Sequence, residues 1–411
     1  MLRFTLFCWL LVWTVAVTSA SAAAPSLQAL IDATPHGGTL RLAPGVYQGP
    51  ATVMKPMVIE GSHAATIQGD GHSTVLTVQA NDVTLRGLRL RGSGDSHDRV
   101  DAGLLVQGEG IRVEDNDLED VLFGIHLKAV NYSVIKGNRV TGKPLAVGLR
   151  GDAIRMWNSH DNRIDDNTFL RARDITLANS PKNRLVGNRF TDGRYGMHLV
   201  FSPDVHIEGN HLTHTGTGIV GLYSPGLTIV RNHVAHALTD GGAGIVVKES
   251  HRSRVENNLV LHCAVGLKAD ASADVEHALV VRGNHFAHNI IGLSFYGEAG
   301  GHQFMDNRFE SNLTTVVISA PGAGSSNVWL GNTWDEYQGF DRNKDGIGDS
   351  AHELMMFADR IWMETPMAMF FRSSPALELL DFLERLAPFS SPELTLKDDR
   401  PRFTKIPKVQ G

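Results

Sequence analysis

The chain has 411 residues and a formal net charge of −6, with 20% of its side chains charged and 42% apolar. That balance argues against disorder and against a nucleic-acid binder. Length alone predicts two or three domains, a count that holds only in the absence of internal repeats. Glycine (42 residues) and histidine (19) are abundant, and only two cysteines occur.

The N-terminus reads as a secretory signal. Arg3 supplies the positive region, residues 4–17 are apolar, and Ala20-Ser21-Ala22 is a small-x-small site with cleavage expected after Ala22. The apolar run is short for a membrane span, so a retained anchor is the weaker alternative. Cys8 would leave with the signal, and Cys263 then has no intramolecular partner. An exported chain without disulfides must draw its stability from core burial.

Residues 27–33 suit a short helix capping an open solenoid end. The stretch Gly37-Gly38-Thr-Leu-Arg-Leu-Ala-Pro44-Gly45-Val-Tyr47 looks like the opening coil of pectin-lyase-like β-helices. Residues 83–90 form an early rung in which Leu88 stands where later rungs have Asn.

From about residue 110 to 334 one pattern recurs: apolar, two residues, Asn, one residue, apolar. Its asparagines are Asn116, Asn138, Asn167, Asn188, Asn210, Asn232, Asn258, Asn284, Asn307 and Asn332, 21 to 29 residues apart. Eight residues after most of them comes Gly-apolar-x-apolar, as at Gly124, Gly196, Gly218, Gly266 and Gly292. After Asn232 it comes at Gly244, which marks an inserted loop. Each repeat offers three short strands separated by Asn or Gly, residues that tolerate the left-handed backbone of sharp bends. A period near 22 without helical periodicity predicts an all-β, right-handed parallel β-helix over residues 23–340, with stacked asparagine amides as a structural ladder.

Beyond the repeats, residues 341–352 read as a junction loop and 353–411 as a C-terminal tail that docks a partner. Asp341, Asn343, Asp345, Ile347 and Asp349 fall at positions 1, 3, 5, 7 and 9 of a calcium loop, with Gly346 at the bend. Position 12 is His352 rather than Glu. A solvated acidic turn is the alternative. Met355, Met356, Met363, Met367 and Met369 form a thioether cluster that suits either Cu(I) or an adaptable apolar interface. Ser374-Pro375 begins a predicted helix carrying Leu377, Leu380 and Leu383, and Pro388 ends it. Residues 397–411 read as extended and loosely held.

Two further groups could carry chemistry. His214, His236, His262 and His288 each follow a repeat Asn by four residues, and His211, His233 and His285 follow one by a single residue. Each set would form an imidazole column, with Cys263 beside it. Imidazole and thiolate suit copper, while a second polar ladder is the plainer reading. His126, Arg155 and His198 share one strand position with Asp152 and Asp174 nearby, which opens a polysaccharide lyase or epimerase site as the alternative function. No serine-nucleophile, phosphate-loop or dinucleotide motif is present.

The segment from Gly331-Asn332-Thr-Trp334-Asp335 through Asp341 to Asp349 resembles the junction motif of the NosD family of periplasmic nitrous oxide reductase maturation proteins. The tail Ser374-Pro375-Ala-Leu-Glu-Leu-Leu-Asp-Phe-Leu-Glu-Arg385, with Ser391-Pro392 and Arg400-Pro401, is similar to that family's C-terminus. The resemblance implies a periplasmic protein peripheral to the inner membrane that works with an ABC-type permease and its ATPase. It implies copper, delivered by a copper chaperone, and a non-enzymatic role in assembling the copper–sulfur centre of nitrous oxide reductase. It carries over no copper-ligand motif.

Overall fold

The computed structural model describes residues 26–270, 278–296, 300–318, 327–356 and 393–403. The expected signal peptide and the expected helix with Leu377, Leu380 and Leu383 lie outside these residues, as do Met363, Met367 and Met369. Of Met355 and Met356 only the backbone is described.

The chain winds as a right-handed parallel β-helix of about twelve coils. The short helix Leu27–Ala33 covers its N-terminal end with Leu27 and Ile31 buried. Each strand pairs in parallel with its counterpart one coil later. Arg184–Val186 lies on His206–Glu208, and the sheet continues through Thr228–Val230, Arg254–Glu256, Val280–Arg282 and Gln303–Met305 to Val328–Leu330. Side chains alternate between faces, so one residue of each three-residue strand points inward. Ile207, Ile229, Val255, Val281 and Phe304 are completely buried. No coil closes a core alone; burial comes from the coils above and below. Aromatics stack in the C-terminal half, Phe286 on Phe309 at 5.7 Å and Phe309 on Trp334 at 4.6 Å.

The asparagine ladder forms as expected. Asn210 donates from Nδ2 to Leu185 O (3.0 Å) and to Asn232 Oδ1 (2.9 Å). Its own Oδ1 accepts from Asn188 N and Nδ2 at 2.8 and 3.0 Å. Both donors and both lone pairs of the amide are thereby satisfied without water. The ladder begins at the backbone N–H of Leu88, bonded to Asn116 Oδ1.

Two details differ from the sequence reading. The ladder asparagines are not the left-handed residues; the residue before each one is. Asp115, Asp166, Arg231, Asn257 and Asp306 have φ between 53° and 56°, and Gly137, Gly187, Gly209, Gly283 and Gly331 have φ between 62° and 70°. Likewise, the signature glycines serve close approach rather than left-handed turns. A Cβ on Gly218 would lie 2.3 Å from Val234 Cγ1 and 2.4 Å from the Gly244 carbonyl oxygen.

The C-terminal end is closed, which the sequence did not suggest. His352–Met356 pairs antiparallel with Glu393–Asp398. The second of these strands also meets the last coil, through Trp329 and Asp398. Residues 397–403, expected to be loosely held, are instead docked. Asp398 is completely buried. Its Oδ2 accepts from Asn332 N (2.9 Å), Asn332 Nδ2 (3.0 Å) and Trp334 Nε1 (3.1 Å), and its Oδ1 from Gly331 N (3.1 Å). A carboxylate ends an amide ladder well because it accepts only and leaves no donor needing a further coil.

Asp398→Ala strands three buried donors, Asn332 N, Asn332 Nδ2 and Trp334 Nε1, and it should lower unfolding free energy by about 3 kcal/mol. Asp398→Asn keeps one oxygen and should lose clearly less. Denaturant melts of the two variants check this, and an alanine variant as stable as wild type would refute the capping role.

Candidate functional site

The described residues contain no group of three or more His, Cys, Asp or Glu side chains able to hold a metal ion.

His214, His236, His262 and His288 do form a column. Their rings stack at 4.8, 5.2 and 5.2 Å, with planes inclined by 25°, 2° and 11°. All four are exposed. Each has a left-handed backbone, φ between 51° and 61°, and so do Asp120, Arg171, Asp192 and Ser311 at the same place in other coils. Histidine is among the few non-glycine residues enriched in that conformation, so the bend alone accounts for the residue type. Desolvation, then the neighbouring charges of His214 and His262, hold His236 below the usual imidazole range. Ring nitrogens offer their lone pairs in the ring plane. Nearly parallel rings therefore point those lone pairs side by side, and adjacent rungs do not converge on one ion. As placed, the column offers a row of single-nitrogen contacts rather than a chelate.

The other set is not a continuous column. His211 and His233 lie 4.9 Å apart, but Leu259 occupies the next rung before His285, whose Nε2 lies 2.8 Å from Glu310 Oε2. Cys263 also departs from the sequence expectation. It is completely buried, and its Sγ–H donates to Leu261 O at 3.2 Å. Burial pushes its thiol up to about 11. Its backbone N–H bonds Asn289 Oδ1, and Asn289 N bonds Asn312 Oδ1, so it heads a second, shorter amide ladder. It faces the interior while His262 faces solvent, and a protonated, buried thiol is no copper ligand.

The junction loop is ordered by its own bonds. Asp341 accepts from Asp345 N and Gly346 N, Asp345 from Ile347 N, and Asp349 from Arg342 N. Asn343 Nδ2 donates to Asp345 Oδ2 at 3.0 Å. Ile347 bridges to Arg402, and Gly348 N bonds Pro401 O. The carboxylates turn onto backbone donors and do not gather around a cation, so this conformation does not fit the expected calcium site. The loop is the clasp that receives residues 401–403.

His126, Arg155 and His198 do share one outward strand position, in the order His126, Arg155, Thr176, His198 over four rungs. Beneath them Asp152 and Asp174 are completely buried. Arg173, Arg194 and Tyr195 join the cluster and were missed from sequence. Arg173 Nη2 donates to Asp152 Oδ1 at 2.9 Å, Arg194 binds Asp174 through Nε and Nη2, and Tyr195 N donates to Asp174 at 3.0 Å. Burial, with Asp174 beside it, holds Asp152 above the usual carboxylate range despite Arg173 and Arg155. Burial and then Arg155 and Lys128 lower His126 to about 4. Burial also lowers His198, with Arg194 and Arg173 adding to it. The available signal was Asp174-Ile175-Thr176-Leu177, where Asp replaces the signature glycine at an inward position.

Among the described residues no helix is long and apolar enough to cross a membrane. The stacked coils and interior amide ladders define a pectin-lyase-like parallel β-helix protein. Residues 136–339 match the family model described as periplasmic copper-binding protein (NosD), and the chain is similar to proteins of the NosD family. It is 29% identical over 365 residues to a Pseudomonas aeruginosa protein named probable ABC transporter binding protein NosD, covering 85% of both chains. It is 27% identical over 390 residues to a Stutzerimonas stutzeri protein of the same name, covering 90% of this chain and 88% of that one. Among solved structures it is similar to the A-module of the mannuronan C-5 epimerase AlgE6 from Azotobacter vinelandii, with TM-score 0.57 and 14% identity, covering 75% of this chain and 94% of that one. It is also similar to a Yersinia enterocolitica family 28 exopolygalacturonase, with TM-score 0.54 and 10% identity, covering 73% and 74%. At these identities the solved structures establish the fold alone.

Two predictions follow from burial. Cys263 should resist a thiol reagent at pH 8 in the native protein and react fully once denaturant is added; fast native labelling would contradict its interior position. The second concerns His126 and His352. His352 stacks on Trp334 at 4.7 Å, and burial lowers it to about 4. Both histidines are depressed in the folded state, so between pH 6.5 and 4 the unfolded chain binds more protons. Stability is then full above 6.5 and lost as pH falls towards 4. A His126→Asn, His352→Asn double variant should show a flatter pH–stability profile across that window.

Proposed function

We propose that this is a non-catalytic periplasmic accessory protein that docks on an ABC-type transporter and supports copper-centre assembly in nitrous oxide reductase. The likeness to the NosD family and the names of the relatives support the transporter association and the copper. The observation that carries the docking role is the hairpin at the C-terminal end. Met356 and Glu393 are paired neighbours across two antiparallel strands. Residues 357–392 therefore leave and re-enter the solenoid at one place, which fixes both ends of that segment at one end of a rigid rod. The segment contains Met363, Met367, Met369, Leu377, Leu380 and Leu383, apolar side chains of the kind that form interface anchors. In this reading the permease and its ATPase lie at that end. The ATPase supplies the nucleotide chemistry, and a copper chaperone and the reductase meet the protein along its length.

Copper enters this reading as cargo, and the exposed column of His214, His236, His262 and His288 is its proposed contact. Imidazole is a suitable ligand when neutral, and lone pairs that do not converge favour weak, exchangeable binding over storage. The four-fold His→Asn variant should fold with an unchanged melting temperature, because Asn also tolerates the left-handed bend. If the column handles copper, a Cu(I) titration should lose most of its bound metal in the variant, and the reductase matured beside it should be copper-poor. Equal titrations for variant and wild type would remove the column from the copper route.

Docking is tested by joining Met356 to Glu393 through a short Gly-containing turn in place of 357–392. The capped solenoid should remain folded, because the hairpin stem and Asp398 are retained, and it should no longer co-purify with the permease. Undiminished co-purification would move the docking surface onto the solenoid itself.

A further inference from the structure

The cluster around Asp152 and Asp174 has no part in the reading above, and it is costly to maintain. Two carboxylates with no solvent exposure lose their hydration, and ion pairing at best offsets that loss. The interior rungs of the structural ladders elsewhere use Asn and Ser, which carry no such cost, and Asp398 is a buried carboxylate only where a ladder ends. Here three guanidiniums surround the two carboxylates. Arg173 and Arg194 are engaged on Asp152 and Asp174, whereas Arg155 reaches Asp152 only at 3.4 Å and keeps about a third of its side chain exposed. One positive charge is thus left facing outward. The Arg155 guanidinium is placed over the Phe123 ring at 5.8 Å.

The surroundings form a row of polar side chains beside a wall. His126, Arg155, Thr176 and His198 occupy successive rungs and are all half-buried, with a rung spacing of roughly 4.8 Å. Tyr195 lies against His198 at 5.0 Å and carries the Arg194 guanidinium on its face at 4.4 Å. The segments 93–101 and 143–150 stand next to Phe123. The His97 ring meets Phe123 at 5.5 Å, His97 Nε2 is 3.1 Å from Leu149 O, and Lys143 Nζ is 2.7 Å from Ser93 O.

We propose that this row is a binding site for an acidic glycan of the uronate type, running along the solenoid axis with a carboxylate on Arg155. A guanidinium takes a carboxylate. The neutral imidazoles and the Thr176 hydroxyl both donate and accept, as sugar hydroxyls require. An acidic peptide fits less well: the strands here are paired on both sides, so no edge is open for its backbone. The site binds; no bond is made or broken. This inference does not rest on the docking and copper reading.

The test is calorimetric titration of the mature protein with oligogalacturonate at physiological salt, so that diffuse attraction is screened. Wild type should bind saturably. Arg155→Gln should bind about tenfold more weakly, the loss expected for one charge-assisted contact. Arg155 makes a single long contact to Asp152, so this variant should fold; His198→Gln is the second variant and should also weaken binding. Arg254→Gln, on another sheet, should bind as wild type does. Absence of binding to wild type overturns the proposal. So does an equal loss in Arg254→Gln, which would mean diffuse electrostatics, or equally tight, Arg155-dependent binding of an oligoglutamate, which would mean a peptide site.

Discussion

The column of buried asparagine amides is the interaction on which the rest of the molecule depends. Each amide uses both N–H groups and both lone pairs, partly on the next amide and partly on backbone one coil away. That arrangement works only if every coil places its Asn at the same height and angle. The ladder therefore fixes the register of all coils against one another. Loops of different length, such as those that make the spacing vary between 21 and 29 residues, must be expelled outward without disturbing it. The left-handed residue before each Asn turns the chain so that the amide points in. The glycine eight residues later clears the space into which the next coil packs.

A ladder of this kind has an end problem, because its last amide has donors with nowhere to go. The chain solves this with a carboxylate brought from far along the sequence. Asp398 accepts what Asn332 and Trp334 offer. Its strand also pairs with His352–Met356, and the junction loop clasps residues 401–403 that follow it. Closing the solenoid and setting residues 356 and 393 side by side are thus one structural act.

The outer surface is free of the ladder's demands, and polar chemistry accumulates there in columns. A residue type chosen at one bend finds its counterpart about one strand spacing away. Four histidines in consecutive coils consequently stack, whether or not they are used. At the Asp152–Asp174 cluster the rule is broken in the opposite sense: Asp174 intrudes into a position that neighbouring coils fill with Gly124, Ala153 and Gly196, and Asp152 is buried beside it. An intrusion that the fold does not need is a better pointer to function than a column that the fold makes easily.

The sequence by itself determined the repeat, the ladder and the parallel β-helix, because these are local patterns repeated at a near-constant period. It placed His126, Arg155 and His198 on one face for the same reason. What it could not decide was everything set by contacts between coils or between distant segments. Cys263 and His262 are adjacent in sequence, yet one is buried and the other exposed, since His262 sits at the left-handed bend between Leu259–Leu261 and Val265–Asp270, and the chain turns inward after it. Leu259 interrupts the second histidine set, and this was legible in the sequence, since Leu259 follows Asn258 just as His211, His233 and His285 follow their own asparagines. The acidic loop at 341–349 matched a cation motif in spacing, but its carboxylates accept from backbone donors of the loop itself. Asp398 as the final rung was invisible because 66 residues separate it from the Asn332 it completes, and only the folded chain brings the two within hydrogen-bonding distance.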